Sequence, residues 1–358
     1  MSLALLETWL SGLEPLPMRD DASVAELRQH VRAAGAARGV DRMLVERAAL
    51  VASELGTNQI RHARRGEIAV EVFARGDLLG VELVAADLGA GLAEPAAALA
   101  GDGPKPTGSL GVGLAAVREQ ASELDIDVRL GEGTCVRARV LPGAAPRRRE
   151  VGIIGRAHPN ERVSGDHATF YRTSSDLILT VIDGLGHGEE ARAAADAAIA
   201  EALRRRDRSP ADVVSDCDDA LRGTRGVVMT VVSVDEEIGE IGHAGVGNIV
   251  TRIEQPVGSV PDTTGRHSRS FSGPSFVVGG STRSAQLSAG IRPRRRFQIE
   301  RAPIGHRDVL LMVTDGLGSR LSLGDQPALY REHPIVIAQT LLARFSRAHD
   351  DALVAVAR

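Results

Sequence analysis

Apolar residues recur at three- and four-residue spacing over Val24 to Ala34 and again over Val45 to Ala63, which predicts two amphipathic helices. The period then changes. Ile68 to Ala74 and Leu79 to Ala85 alternate or run apolar around Gly76-Asp77, the pattern of a two-residue hairpin. A Gly/Pro/Ala-rich stretch, Gly89 to Gly108, precedes a helical pattern from Val112 to Leu124 and strand patterns at Ile126 to Leu130 and Cys135 to Leu141. Leu141 to Arg149 (LPGAAPRRR) then mixes Pro, Gly, small residues and a charge run, as interdomain connections do. The pattern therefore predicts a first domain over 1–142, a linker over 143–150 and a second domain over 151–358.

Short apolar runs dominate the second half, at Val151 to Ile154, Leu177 to Ile182, Val227 to Val234, Ile249 to Ile253, Val309 to Thr314 and Leu353 to Ala357. Helical patterns at Ala191 to Arg205, Pro210 to Leu221 and Pro334 to Arg347 separate them, so a sheet core with helices outside is expected. The fold class is α+β in two domains. Gly258 to Gly290, rich in Gly, Ser and Arg, reads as a long loop.

Composition narrows the function. A chain of 358 residues with 43% hydrophobic and 25% charged residues can fill two cores, which excludes wholesale disorder. The first 142 residues carry 15 basic and 20 acidic side chains and the remainder 28 and 27, so neither half is basic enough for nucleic acid. Cys135 and Cys217 stand far apart without a CxxC, against a disulfide scaffold or a cysteine-built zinc site, and a reducing cytoplasm fits. Met1 to Pro17 lacks a basic start and carries Glu7 and Glu14, so it reads as a short amphipathic helix rather than a signal peptide. No run of 18 apolar residues occurs, and no membrane span is expected.

Candidate chemistry begins in the second helix, where Glu54-Leu55-Gly56-Thr57-Asn58 puts a carboxylate and an amide on one face. The amide oxygen can ligate Mg²⁺ while the carboxylate polarises a hydroxyl, although a solvated helix face shows the same pattern. The following strand runs into Asp87-Leu88-Gly89-Ala90-Gly91, an acid able to accept from an adenine amino group beside glycines that admit the ring. Next, Gly108-Ser109-Leu110-Gly111-Val112-Gly113-Leu114 offers free N–H groups at a helix start, as phosphates require. Lys105, the single lysine, lies between these elements, where it is either a solvated loop residue or a cation that closes over the β- and γ-phosphates.

In this order, the three elements resemble the GHKL ATPase superfamily, and within it the small serine kinases of bacterial sigma-factor partner switching, RsbT and RsbW. The resemblance covers Leu16 to Leu141, with ELGTN and Arg61-His62-Ala63 similar to the N box. It implies Glu54 as catalytic base, Asn58 as Mg²⁺ ligand, Asp87 as adenine partner, and Gly89, Gly91, Gly111 and Gly113 around the nucleotide.

In the second half acids recur at strand ends: Ser164-Gly165-Asp166, Asp183-Gly184-Leu185-Gly186-His187-Gly188, Thr314-Asp315-Gly316 and Asp350-Asp351. Each Asp-Gly could be a turn, yet four separated carboxylates can converge on Mg²⁺ or Mn²⁺ and set water against a phosphate. SGDH, DGLGHG, TDGL and HDDALVAV stand in the order of the PPM family of metal-dependent Ser/Thr phosphatases, and resemble its SpoIIE and RsbX branch over Val151 to Arg358. That resemblance implies a β-sandwich flanked by helices, with Asp183 bridging two Mn²⁺ or Mg²⁺ ions as the central catalytic ligand. The Gly184 carbonyl, Asp166, Asp315 and Asp350 would complete the set, with Asp350 preferred over Asp351. His187 would either steady the turn or help protonate the leaving group.

The two resemblances together imply a bifunctional switch: a Mg·ATP-dependent serine kinase and a metal-dependent phosphatase acting on STAS-domain regulators of stress or sigma-factor signalling. The alternative is a phosphatase whose ATP-binding domain only binds partners, senses nucleotide or acts as an anti-sigma module. A sigma factor as partner and a homodimer are both compatible with the resemblance, which implies a cytoplasmic protein.

Overall fold

The computed structural model describes residues 4–102, 113–256, 268–271, 297–318, 321–324 and 326–358. It divides into two units, Met1–Gly152 with His333–Gln339, and Ile153–Glu332 with Thr340–Arg358. The fold is α+β, and each unit has its own sheet core.

Unit 1 opens with α1 (Ala4–Trp9) and the edge strand β1 (Pro15–Met18), followed by α2 (Asp21–Ala37) and α3 (Arg42–His62). Both long helices start at capping aspartates. Asp20 accepts from Ser23 N–H at 2.9 Å while the Ser23 hydroxyl accepts from Asp20 N–H at 3.0 Å, and Asp41 accepts from Met43 and Leu44. The hairpin β2 (Ala63–Arg75) and β3 (Leu78–Gly89) is longer than its hydrophobic core suggests and turns at Gly76, whose φ is +58°. After α4 (Pro95–Ala100) and α5 (Gly113–Gln120) come β4 (Glu123–Leu130) and β5 (Gly133–Val140), giving the antiparallel order β1-β2-β3-β5-β4.

The helical pattern expected to reach Leu124 stops at Gln120. Ser122 N–H donates to the Arg139 carbonyl at 2.7 Å, and Glu123 and Leu124 already pair with β5, so strand pairing overrides the helical spacing. Along β4 the apolar Leu124, Ile126 and Val128 alternate with buried Glu123, Asp125, Asp127 and Arg129. Arginines answer the acids. Arg139 binds Glu82 at 2.6 Å and Asp125 at 2.9 Å, Arg75 clasps Glu123 at 2.9 Å, and Arg129 holds Asp127 at 2.8 Å. The indole N–H of Trp9 in α1 donates to Asp127 at 2.9 Å.

The same acids fix the chain beyond β5. Arg148 N–H donates to Glu123 at 3.1 Å, Val151 N–H to Asp125 at 2.8 Å, and Leu124 N–H to Glu150 at 2.9 Å. His333 Nε2 bonds the Leu124 carbonyl at 2.7 Å.

Unit 2 contains most of β6 (Val151–Arg156), then β7 (Asp166–Arg172), β8 (Asp176–Gly184), α6 (Glu189–Arg204), α7 (Pro210–Ala220), β9 (Val227–Asp235) and β10 (Glu240–Val246). It continues with β11 (Val250–Glu254), β12 (Ser268–Phe271), β13 (Glu300–Pro303), β14 (Val309–Val313), the last turns of α8 (Pro334–Phe345) and β15 (Ala352–Ala357). One sheet runs β13-β10-β9-β8-β7 and the other includes β6-β15-β14-β11-β12, with β7 touching β15 across the sandwich. Helices α6 and α7 cover the first sheet through Ala194, Ala198, Ile199, Val213 and Val214 against Ile182, Met229 and Val231.

Candidate functional sites

In unit 1, Glu54 and Asn58 occupy one half-buried face of α3, and Glu54 has no hydrogen-bond or ion-pair partner among the described residues. Gly113, the first residue of α5, comes directly against Asn58, since a β-carbon there would stand 3.1 Å from Asn58 Oδ1. Asp87, near the end of β3, pairs with Thr134 of β5. Burial pushes its carboxyl up to about 7, against the opposing hydrogen bond from the Thr134 backbone. Gly89 lies beside that carboxylate, its hypothetical β-carbon 3.0 Å from Asp87 Oδ1.

Gly91 has a structural reason of its own, with φ at +75° and room for a β-carbon only 2.8 Å from the Arg129 carbonyl oxygen. Lys105 and Gly111 lie outside the described residues. Gln59, adjacent to Asn58, was not singled out by sequence. Its buried amide N–H₂ donates to Ala86 O at 3.0 Å and Glu67 O at 3.3 Å, tying the end of α3 to both strands of the hairpin.

In unit 2, Asp166 opens β7 and stands directly opposite Asp183 near the end of β8. Asp315 follows β14, and Asp350 precedes β15. Burial raises Asp166 well above the ordinary aspartate value, and Asp183, Asp351 and Asp315 raise it further, against a lowering hydrogen bond from Thr314. Burial pushes Asp183 up to about 8, with Asp315, Asp350 and Asp351 adding to it. The main influences on Asp166 and Asp183 are thus burial and neighbouring acids, and no arginine or lysine stands among them.

Asp351 is committed elsewhere, since its two oxygens accept from His158 N–H at 2.6 Å and Gly165 N–H at 2.9 Å. Gly184 packs so tightly under the Ala191 carbonyl of α6 that no side chain fits there, which brings the first turns of the helix down on the DGLGHG turn. His187 is exposed, pairs with Glu161 at 2.6 Å and stacks on His158 with ring centroids 4.8 Å apart. Two residues outside the sequence reading touch the acids: the Thr314 hydroxyl donates to Asp166 Oδ2 at 2.6 Å, and Asn248 Nδ2 donates to Asp315 Oδ2 at 2.7 Å. Thr314 could have been found as the first residue of TDGL, whereas Asn248 gave no signal.

Hard carboxylate oxygens without a nearby cation suit Mg²⁺ or Mn²⁺. Among the described residues, no three His, Cys, Asp or Glu side chains close into a cage by themselves. The site is therefore an acidic field rather than a preformed cage, and the chemistry of its donors fits a divalent ion.

Residues 17–140 match the family described as histidine kinase-like ATPase domain. A solved structure from a study of the bacterial stressosome, a modular system adapted to control secondary messenger signaling, is 28% identical with a TM-score of 0.50, covering 59% of this chain and 100% of its own. RsbX in complex with magnesium is 16% identical with a TM-score of 0.48, covering 59% and 96%. The PP2C phosphatase domain with a regulatory fragment of SpoIIE from Bacillus subtilis is 15% identical with a TM-score of 0.45, covering 94% of each chain. No curated protein matches significantly. The similarity to a histidine kinase-like ATPase domain is confined to residues 17–140. Among the described residues, no helix is long and apolar enough to cross a membrane.

Proposed function

We propose that the chain is a bifunctional partner-switching enzyme, with a protein-serine kinase in unit 1 and a divalent-metal phosphoserine/phosphothreonine phosphatase in unit 2, both acting on STAS-domain regulators. The observation that carries the phosphatase half is the register-opposed, uncompensated pair Asp166 and Asp183, with Asp315 and Asp350 in the same field. The ATPase-domain match, with Asn58 against Gly113, supports the kinase half.

In the kinase, Asp87 accepts from the adenine amino group, and the Asn58 amide oxygen would hold the Mg²⁺ that accompanies ATP. Glu54 takes the proton of the acceptor hydroxyl as its oxygen bonds to the γ-phosphorus and the bond to the β-phosphate oxygen breaks, releasing ADP. A base of this kind must be free to receive a proton, and Glu54 has no competing partner among the described residues. That favours catalysis over a purely nucleotide-sensing role.

In the phosphatase, Asp183 would bridge two Mn²⁺ or Mg²⁺ ions, and Asp166, Asp315, Asp350 and the Gly184 carbonyl would complete their ligation. Such ions, when bound, polarise the phosphoryl oxygens and acidify water. The chain's own contribution is to hold the acids on strand ends and to keep competing cations away from them. In hydrolysis a water oxygen bonds to phosphorus as the ester P–O bond breaks, which releases inorganic phosphate and returns a proton to the serine or threonine oxygen as its hydroxyl.

Incubation of the purified chain with Mg·ATP and candidate STAS proteins, followed by mass spectrometry, should show phosphate added to a serine or threonine. Addition of Mn²⁺ after ATP is removed should strip it. A STAS protein left unmodified in the first step would sink the kinase half, and a stable phosphoprotein in the second would sink the phosphatase half.

A further inference from the structure

We propose that Thr314 and Asn248 are positioning residues for the acidic site, each holding one oxygen of a candidate ligand, Asp166 and Asp315 respectively, and leaving the other oxygen to a cation. This rests on the phosphatase reading. Thr314 is fully buried just after β14, and its hydroxyl accepts the Leu353 N–H at 3.0 Å. Its backbone N–H donates to the Leu353 carbonyl at 3.2 Å. With the acceptor side of the hydroxyl directed by β15, its proton is committed to Asp166 Oδ2 at 2.6 Å. The threonine therefore ties the β14 and β15 ends to the first residue of β7.

Asn248 does the same between β10 and β11. Its amide nitrogen can only donate, and it reaches Asp315 Oδ2 at 2.7 Å. A neutral donor orients a carboxylate without cancelling its charge. An arginine in either place would instead form an ion pair and compete with the metal. Neutral donors at Asp166 and Asp315, and backbone N–H groups at Asp351, leave the field of the four acids intact while fixing where individual oxygens lie. Partners of this outer kind typically change metal affinity about 10–100-fold when removed.

Calorimetric titration of the full chain with Mn²⁺ tests this, the relevant heat being the part lost in Asp183→Asn. Thr314→Val and Asn248→Ala should each weaken that binding about 10–100-fold, and Thr314→Ser, which restores the hydroxyl, should return it to near the wild-type value. Asn248 is exposed, so Asn248→Ala should keep the wild-type melting temperature in metal-free buffer and decides the matter if Thr314→Val does not fold. Unchanged Mn²⁺ affinity in either folded variant overturns the role of that residue. A wild-type chain that gives no Mn²⁺ heat overturns both this inference and the phosphatase reading, whereas wild-type binding with indifferent variants overturns this inference alone.

Discussion

In unit 1, Glu82, Glu123, Asp125 and Asp127 lie beside Arg75, Arg129 and Arg139, whereas in unit 2 Asp166, Asp183, Asp315 and Asp350 have neutral donors or one another for neighbours. Both groups sit on or at the ends of strands. Burial works to raise the Glu82 carboxyl, yet Arg139 and Arg137 outweigh it and hold the group below its ordinary value. Burial also acts on Asp183, and Asp315, Asp350 and Asp351 add to the rise, to about 8. Acids whose charge is answered within the fold are part of its framework. Acids left unanswered cost stability, a cost that a bound cation would offset.

The strongest challenge to this contrast is Asp183→Asn. Metal chemistry of this kind supplies several kcal/mol, so phosphatase activity should fall about 10³-fold or more at any Mn²⁺ concentration. Chelation of the wild type should do the same. In metal-free buffer the variant should melt at or above the wild-type temperature, because a repelling charge has gone. A variant that hydrolyses phosphoprotein normally would show that the acids serve the fold, as those of unit 1 do.

Glu54 is a half-buried acid without a partner among the described residues, and its removal should touch chemistry only. Glu54→Ala should slow phosphorylation of the proposed STAS substrate about 10²–10⁴-fold, leaving ATP binding and phosphatase turnover unchanged. Asn58→Ala should instead weaken Mg·ATP binding, which fluorescence titration with a nucleotide analogue reads directly. Full-speed transfer by Glu54→Ala would leave unit 1 as a binding module.

For the compensated side, Arg139→Met should have the opposite character: loss of about 3–5 kcal/mol of local stability with no direct effect on either reaction centre. Glu82, Asp125 and Glu123 would keep their burial and lose their shared counter-ion. Hydrogen exchange of β4 and β5 amides measures it. Unchanged protection there would show that the arginine offsets little.

The periodic elements were legible in the sequence, and the exceptions have physical causes. β1 (PLPM) contains two prolines, tolerable because it pairs on one side only. β10 (EIGHAGV) is interrupted by Gly242 and Gly245, yet those glycines are what its cross-strand neighbours Ser233 and Thr230 require. In β4 (ELDIDVRL) the burial of Glu123 and Asp125 was not legible, because the arginines that permit it, Arg75 and Arg139, belong to β2 and β5. The order of Asp166, Asp183, Asp315 and Asp350 was visible as acids at strand ends. Their supporting donors were not, since Thr314 reaches across 148 positions and Asn248 across 67.

Glu150 gives the smallest and most discriminating test, because it is an acid of unit 1 that the arginines only partly answer. Burial pushes its carboxyl up to about 7, against the hydrogen bond from Leu124 N–H. Asp125 and Glu123 of β4 raise it further, while Arg118 of α5 opposes them. The folded state therefore holds the proton more tightly than the unfolded chain, whose glutamate titrates near 4.3. Below that value both states are protonated and no penalty exists; between it and about 7 the penalty grows, and above 7 it is fully present. Glu150→Gln keeps an oxygen for Leu124 N–H and removes the charge. At pH 8 it should stabilise unit 1 by roughly 1–3 kcal/mol, and the advantage should vanish by about pH 4. Parallel denaturation of wild type and variant across that range, followed by exchange at β4, reads the difference. An advantage that is constant with pH would mean that packing, not the unanswered charge, distinguishes Glu150 from its paired neighbours.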